Sequence, residues 1–278
     1  MDYGRPVQFG CFIIPDATQL QRALGLASLA DSLGFDLVGV QDHPYQRRFY
    51  DAWILLSAIA VRTKQITVFP DVSNLPLRPP AMLAKAAASL DLISGGRVEL
   101  GLGAGAAWDA IKAIGGPVRT PGESVTALEE AIQVIRLMWS GARGARFDGK
   151  FYQLAGVNAG PVPAHPIGIW LGAYKPRMLA LIGRLADGWV PSLGYLKPAE
   201  LAEAHARIDD AAVAAGREPR AIRRVLNVGD GHSPEDLATL VVEQGFDTLV
   251  VGEGELVRVA DEVIPKVREL VGAARESR

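Results

Sequence analysis

The sequence contains one cysteine and almost no net charge, and both absences exclude classes of protein. Cys11 is the single cysteine among 278 residues, so no internal disulfide can form, and its apolar neighbours are typical of a core residue. The 29 basic and 31 acidic side chains leave a net charge of -2, which argues against a general affinity for nucleic acid or for a membrane surface. A cytoplasmic protein without such partners is therefore predicted.

Long apolar runs and the common metal-binding and nucleophile motifs are absent too. No run approaches the roughly 18 to 20 apolar residues that a membrane-spanning helix requires, and the N-terminus lacks the pattern of a secretory signal. The spacings HxH, CxxC, HExxH and GxSxG do not occur, which disfavours a metal centre and a serine nucleophile. Two of the four histidines, His165 beside a proline and His205 in a charged helical segment, are interpreted as solvated.

Apolar strand-like runs alternate with alanine- and leucine-rich segments along the whole chain. The runs are almost continuously apolar, which indicates strands covered on both faces. Eight such pairs predict an α/β fold, a (β/α)8 TIM barrel formed as one domain over residues 1–278. A doubly wound open sheet also alternates, but the repeated strand entry in LGFDLVGVQ (33–41) and QGFDTLVVG (244–252) favours the barrel. Residues 140–166 predict a short inserted hairpin.

The predicted elements cover most of the chain. The predicted strands are 7–13, 36–40, 66–70, 97–102, 167–171, 187–190, 223–228 and 247–252. The predicted helices are 17–33, 51–62, 80–93, 122–139, 176–185, 198–215, 234–243 and 255–271. In a barrel of this kind the chemistry is carried by the C-terminal ends of the strands and the loops after them.

Titratable side chains follow the second and third predicted strands. Asp42, His43 and Tyr45 come after the second strand. His43 could donate a proton or a hydrogen bond to a ligand, with Asp42 orienting it, or it could only cap its own loop. After the third strand, PDVSNLPLRPP contains Asp71 and Ser73. This stretch is either irregular backbone held against a ligand or an ordinary proline-rich connection.

Small residues follow the fourth and fifth predicted strands. In GLGAGAAWD (101–109) they allow the backbone to approach a ligand closely, and Trp108 and Asp109 could face the same cavity. A dinucleotide fingerprint is not supported, because the expected acid about 20 residues later is missing. In LGAYKPRM (171–178), free backbone N–H groups and Lys175 suit a phosphate, although a tight turn with solvated cations explains them as well.

Several segments together resemble the bacterial luciferase-like superfamily. They are LDLISGGRVELGLGAG (90–105), ALEEAIQVIRLMWSG (127–141), GPVPAHPIGIWLGA (160–173) and LADGWVPS (185–192), with the Asp-His strand ending and NLPLRPPAMLAKAAASLD (74–91). The resemblance runs from residue 7 to about residue 195. It implies a (β/α)8 barrel that binds FMN or the 5-deazaflavin coenzyme F-420 at its C-terminal mouth. It also implies a non-prolyl cis peptide after the third strand, at Asp71–Val72.

The sequence DHPYQ is similar to the Asp-His-aromatic pattern of the F-420-dependent branch of that superfamily. The resemblance therefore favours F-420 as the cofactor, with FMN as the alternative, and implies that His43 is catalytic. Ala106 stands where sugar-phosphate dehydrogenases of this branch carry a glutamate, and Asp109 follows three residues later. This departure puts sugar-phosphate oxidation in doubt.

We predict a luciferase-like oxidoreductase that transfers hydride between a flavin-type cofactor and a small organic substrate. The alternatives are an FMN-dependent monooxygenase that uses O2, a non-redox barrel that binds a phosphorylated ligand, and a binding protein without turnover. A homodimer is expected from the resemblance and from apolar helix faces. The predicted site residues are His43 and Asp42 for catalysis, Asp71, Val72, Ser73, Gly103, Ala104, Gly105, Gly172, Ala173 and Lys175 for the cofactor, and Tyr45, Trp108 and Asp109 for the substrate.

Overall fold

A nearly closed parallel barrel forms the centre of the molecule. The computed structural model describes residues 1–277, except for the side chain of Pro198, so Arg278, the last residue of the predicted domain, lies outside the described residues. The strands are β1 (Gln8–Ile13), β2 (Leu37–Val40), β3 (Thr67–Pro70), β4 (Ser73–Asn74), β5 (Leu100–Gly103), β6 (Ala145–Asp148), β7 (Gln153–Val157), β8 (Ile169–Leu171), β9 (Gly188–Trp189), β10 (Arg223–Asn227) and β11 (Thr248–Val251).

The order of the strands confirms the predicted TIM barrel. The large sheet runs β3-β2-β1-β11-β10-β9-β8-β5-β4, and the pairs within it are parallel. β3 and β4 are two parts of one barrel strand, so nine segments make eight strands. A parallel bridge between Val68 and Val98 joins the two ends of the sheet. The open-sheet alternative is therefore excluded.

Helices surround the barrel where the sequence pattern predicts them, with one addition and with the last predicted helix, 255–271, divided in two. They are α1 (Leu20–Ser32), α2 (Ala52–Arg62), α3 (Pro80–Ser94), α4 (Trp108–Ala113), α5 (Pro121–Trp139), α6 (Pro176–Leu185), α7 (Pro198–Ala214), α8 (Pro234–Val242), α9 (Leu256–Arg258) and α10 (Ile264–Glu276). The short helix α4 was not predicted, because six residues are too few for a periodic pattern. Within residues 1–277, none of the helices is both long enough and apolar enough to cross a bilayer.

The predicted insertion is a two-stranded antiparallel hairpin of β6 and β7. Glu130 of α5 holds its turn, because its carboxylate accepts hydrogen bonds from the backbone N–H groups of Lys150, Phe151 and Tyr152 at 2.8 to 3.2 Å. A carboxylate that receives three such bonds satisfies turn donors that would otherwise need water. The hairpin is therefore anchored on the outside of the barrel rather than inside it.

Large apolar side chains fill the lower part of the barrel. Phe69 and Trp170 meet edge to face with ring centroids 5.3 Å apart, an arrangement that aromatic pairs prefer. A Cβ atom at Gly39 would lie 2.9 Å from Phe69 Cζ and 3.2 Å from Asp71 Cβ. The absence of a side chain on β2 thus makes room for two side chains of the neighbouring strand. The apolar residues in this layer are Leu37, Phe69, Trp170, Val190, Val225 and Val250.

The interpretation of His205 as solvated is wrong. Its side chain is 1 % exposed and packs against the rings of Tyr3, Trp189 and Phe246. Neither ring nitrogen has a hydrogen-bond partner among the described residues. Burial, helped by the positive charges of Arg224 and the N-terminus, lowers the pKa of His205 to about 3. His205 is therefore a neutral core residue at ordinary pH.

We expect His205 to make the protein sensitive to acid. A histidine in the unfolded chain has a pKa of about 6.5. Between pH 6.5 and 3, the unfolded state therefore binds a proton on His205 that the folded state does not bind. The free energy of unfolding should then fall by about 1.4 kcal/mol for each pH unit below 6.5. In His205→Leu this part of the slope should disappear, which urea unfolding at pH 5 and pH 7 measures.

His165 serves as the matched control. Its Nδ1 lies 2.8 Å from the buried carboxylate of Asp91, and its pKa is raised by Glu99 and Asp91. Its contribution to stability is complete below about pH 6.5 and is lost as the pH rises through the raised value. His165→Gln should therefore lower the free energy of unfolding at acid pH, where His205→Leu raises it. It should leave the slope below pH 6.5 unchanged. An unchanged acid slope in His205→Leu would contradict the prediction.

Candidate active site

The candidate site lies at the C-terminal mouth of the barrel, where Val72 occupies a space left by glycines. The Asp71–Val72 peptide is cis, as the resemblance implies, and it separates β3 from β4. A Cβ atom at Gly101, Gly103 or Gly172 would lie 3.0, 2.8 or 3.0 Å from a side-chain carbon of Val72. These three glycines belong to β5 and to the loop after β8, so the Val72 side chain is received by the two next strands around the barrel.

Packing within the protein itself explains the glycine that ends β5 and the one that follows it. Gly103 makes room for Val72, whereas Gly105 has φ +96°, and a Cβ there would lie 2.7 Å from Pro76 and 2.9 Å from Trp108. Ala104 is half-buried and packs against the core. A direct contact of these residues with a cofactor stays a prediction, and packing alone is sufficient to require the two glycines.

Asp42 belongs to a buried ion pair that connects two loops of the mouth. It is 3 % exposed and accepts hydrogen bonds from Arg78 Nε at 2.7 Å, Arg78 Nη2 at 2.8 Å and Asn74 N at 3.0 Å. Arg78 also donates to Asp51 at 2.7 Å, and Asp51 caps the N-terminus of α2. Among the described residues, the hydrogen bonds of Asp42 therefore go to the next loop and not to His43.

His43 is held instead by Tyr45. The Tyr45 hydroxyl lies 2.5 Å from His43 Nδ1. Burial lowers the pKa of His43, an effect that the charge of Asp42 partly offsets, and burial also raises the pKa of Tyr45. The neutral imidazole and the neutral phenol are therefore favoured. A hydroxyl that donates to Nδ1 places the ring proton on Nε2, which leaves Nε2–H to donate to a ligand.

A hydrogen bond between opposite strands forms the floor of the mouth. Asn227 Nδ2 donates to Asp71 Oδ1 at 3.3 Å, and Asn227 also lies 3.4 Å from Ser192 Oγ. Asp71 follows β3 and Asn227 ends β10, which stand four strands apart in either direction around the barrel. Burial raises the pKa of Asp71 to about 7. Asn227 and Ser192 were missed in the sequence, although both are polar residues at strand ends.

Ser73 and Asn74 point in opposite directions. The Ser73 hydroxyl is fully buried and accepts a hydrogen bond from Trp53 Nε1 of α2 at 2.9 Å. Successive side chains of a strand alternate between its faces, so Asn74 faces the barrel side. The Ser73 hydroxyl is therefore held by α2, and the predicted contact of Ser73 with a cofactor stays a prediction.

The loop after β8 supplies an aromatic residue and a cation at the rim. Ala173 is buried, and its carbonyl accepts a hydrogen bond from Trp189 Nε1 at 2.8 Å. The Tyr174 hydroxyl accepts one from Ser192 N at 3.0 Å. Lys175, directly before α6, is exposed. In the neighbouring loop, after β5, Trp108 is half-buried at the start of α4, whereas Asp109 is exposed.

Three buried oxygen atoms of residues at the C-terminal ends of the strands have no partners. They are Asp71 Oδ2, Asn74 Oδ1 and Asn227 Oδ1, each buried and lacking a hydrogen bond among the described residues. Buried polar atoms are normally paired, so these oxygens fit a bound group or ordered water. Together with the apolar Val72 they suit a flat ring with polar edges. A cavity of about 340 Å³ lies at the opposite end beside Gln8 and Asp36, where barrel strands begin.

Comparison with known proteins relates the chain to one family by sequence and to solved barrels by fold. The sequence model of the family described as luciferase-like monooxygenase matches residues 6–229. The 5,10-methylenetetrahydromethanopterin reductase of Archaeoglobus fulgidus is 31 % identical over 199 residues, which are 71 % of this chain and 56 % of the relative. The F420-dependent glucose-6-phosphate dehydrogenase of Amycolatopsis mediterranei is 32 % identical over 171 residues, 59 % of this chain and 51 % of the relative. The chain thus spans about half the length of these relatives.

The fold is shared with a solved enzyme over nearly its whole length. An F420-dependent secondary alcohol dehydrogenase in complex with an F420–acetone adduct superposes with a TM-score of 0.83. The match covers 95 % of this chain and 99 % of that chain at 19 % identity. At this identity the likeness shows a common barrel.

Proposed function

Because this chain belongs to the luciferase-like monooxygenase family, we propose that it is an oxidoreductase that binds a flavin-type ring at the barrel mouth. The proposed reaction is hydride transfer between coenzyme F-420 and a small organic substrate. The names of the F420-dependent relatives support F-420. FMN is the second candidate, and the family description, luciferase-like monooxygenase, favours it.

The observation that carries the proposal is the Val72 platform. We define it as the Val72 side chain with the three glycines around it, Gly101, Gly103 and Gly172. It offers an apolar surface about one side chain wide, with unpaired polar atoms of Asp71 and the two asparagines nearby. A flat ring placed on it would bury apolar area on one face and find hydrogen-bond partners at its edges.

The other proposed cofactor contacts are inferred from where their residues lie at the mouth of the barrel. Gly172, Ala173 and Lys175 precede the N-terminus of α6, where a phosphate of the cofactor would meet the positive end of the helix and the Lys175 cation. The N–H of Gly172, which the sequence suggested was free, donates to the carbonyl of Leu102 at 3.2 Å. When bound, the ring supplies the two-electron chemistry, and the protein supplies orientation and the exclusion of water. Trp108 and Tyr174 would cover the sides of the mouth.

His43 is the proposed catalytic residue. As a neutral imidazole whose Nδ1 is taken by Tyr45, it can donate from Nε2 to the oxygen of a substrate or to the edge of the ring. Asp42 and Arg78 fix the loop that carries His43, so the proposed role of Asp42 is to position His43. Tyr45, Trp108 and Asp109 remain the proposed substrate contacts.

The substrate class is proposed from the residues at the rim. Ala106 stands at the position where a glutamate was expected for sugar-phosphate oxidation, so a small and largely apolar substrate is favoured.

The exposed apolar residues of α2 and α3 support association of two copies through that face. They are Ile54, Val61, Met82 and Ile93, each 64 to 69 % exposed.

The proposal is tested by titrating the purified protein with F-420 and with FMN and following the quenching of tryptophan fluorescence. F-420 should bind more tightly than FMN. In Gly172→Ala the added methyl group would lie 3.0 Å from Val72 Cγ2 and displace it. The affinity for the ring should therefore fall about tenfold or more, which corresponds to about 1.4 kcal/mol.

Gly25→Ala is the matched control. A Cβ at Gly25 in α1 meets nothing within 4 Å, so both affinities should stay unchanged. If neither ring binds to the unaltered protein, the proposed function is wrong. If a phosphorylated ligand binds in their absence, the non-redox alternative takes its place.

A further inference from the structure

Asp71 is a buried carboxyl group placed at the centre of the mouth. Its side chain enters the barrel over Gly39, where a Cβ atom would lie only 3.2 Å from the Asp71 Cβ. Its Oδ1 is joined to Asn227 of the opposite strand at 3.3 Å. The carboxyl group therefore lies across the barrel axis, directly beneath the space above the floor.

The partners of Asp71 are neutral, unlike those of Asp42. Asp42 is paired with the Arg78 guanidinium through two hydrogen bonds, whereas Asp71 receives one long bond from an amide. The groups around Asp71 are Asn227, Ser192 and the phenol of Tyr174, whose pKa is raised by burial and, to a smaller degree, by Asp71. A buried carboxylate without a cation is disfavoured relative to the neutral acid.

The floor of the mouth has an excess of acceptors. The unpaired buried atoms of the Asp71–Asn227 pair are both oxygens, Asp71 Oδ2 and Asn227 Oδ1. A neutral Asp71 would change this, because its Oδ2 would carry a proton and become a donor. The edges of a flavin-type ring contain carbonyl oxygens and ring nitrogens that accept hydrogen bonds. A protonated Asp71 would therefore offer such an acceptor a donor from the floor, in addition to the Nε2–H proposed for His43.

We propose that Asp71 binds the flavin-type ring as a neutral acid, donating a hydrogen bond from Oδ2 to an acceptor on the ring. This inference rests on the proposed function and adds to it a specific donor and a proton linked to binding. Only the protein in which Asp71 is protonated can bind the ring in this way. Near neutral pH, the protein therefore takes up a proton when the ring binds. The fraction of protein in this form decreases above pH 7.

The affinity of the ring should therefore weaken with rising pH. The apparent dissociation constant is the intrinsic one divided by the competent fraction. With a pKa of about 7 for Asp71, the affinity should be about thirtyfold weaker at pH 8.5 than at low pH. Asp71→Asn keeps the shape of the side chain and offers an amide donor at every pH. The affinity of this variant for the ring should therefore not weaken as the pH rises.

The test is calorimetric titration with F-420 and FMN at pH 7 in two buffers of different ionisation enthalpy. The unaltered protein should take up about half a proton more than Asp71→Asn, as expected for a group near its midpoint. Asp148→Asn, in the hairpin outside the barrel, should behave like the unaltered protein. Equal proton uptake in the unaltered protein and Asp71→Asn, or a smaller uptake in the unaltered protein, would overturn the inference and leave the proposed function intact.

A second measurement does not depend on a variant that folds. The carboxyl carbons of ¹³C-labelled aspartate are followed by NMR through a pH titration, with and without the ring. One aspartate should titrate near neutral pH in the free protein and at higher pH in the complex. If no aspartate does so, or if the ring lowers the midpoint, Asp71 is not the donor. Absence of binding by either ring would overturn the proposed function and this inference together.

Discussion

Replacing His43 by alanine is expected to lower turnover by about 10²–10⁴-fold, the usual contribution of a positioned acid or base. The cofactor affinity should change little, because the Val72 platform and the floor stay in place. The expected loss rests on the neutral imidazole and on its contact with Tyr45. Steady-state kinetics with F-420 and a panel of small alcohols and carbonyl compounds measures kcat and KM separately.

Two companion variants make the result specific to His43. Tyr45→Phe removes the hydroxyl at Nδ1, so it should lower turnover less than His43→Ala and shift its pH profile. His165→Gln changes a histidine outside the mouth and should keep full turnover. A His43→Ala protein with unaltered turnover would remove the catalytic role from this residue.

Replacing Arg78 by methionine is expected to destabilise the protein by about 3–5 kcal/mol, because it leaves a buried charge without its partner. The Asp42 side chain is 1 % exposed and the Arg78 side chain 17 %, so solvent cannot replace the lost contacts. Chemical denaturation at pH 7 measures the change in the free energy of unfolding. Turnover should fall as well, since the loop that carries His43 loses its anchor.

The control for this prediction is an exposed ion pair. Arg48 is 64 % exposed and pairs with Asp16, and exposed pairs contribute little, so Arg48→Met should leave the stability almost unchanged. The double variant Asp42→Asn with Arg78→Met removes both charges and should recover part of the loss. Equal stability of Arg78→Met and Arg48→Met would show that the buried pair is not required.

The barrel itself could be predicted from local patterns. All eight barrel strands overlap their predicted ranges, and the inserted hairpin falls within 140–166. Apolar runs of strand length and proline-opened helices report on the nearest few residues, which is why they can be recognised without the fold. The position of His43 at a strand end follows from the same pattern.

The sequence by itself determined the barrel, its insertion and which strand ends carry polar groups, because short-range periodicity encodes them. Only the tertiary structure decided their partners. Asp42 pairs with Arg78, 36 residues away, and Asp71 meets Asn227, 156 residues away. His205 is buried by rings from three distant segments. The Asp71–Asn227 contact exists because closing the barrel brings opposite strands to one axis, and the other two exist because it brings loops and helices from separate parts of the chain together. No local pattern records which residues then meet.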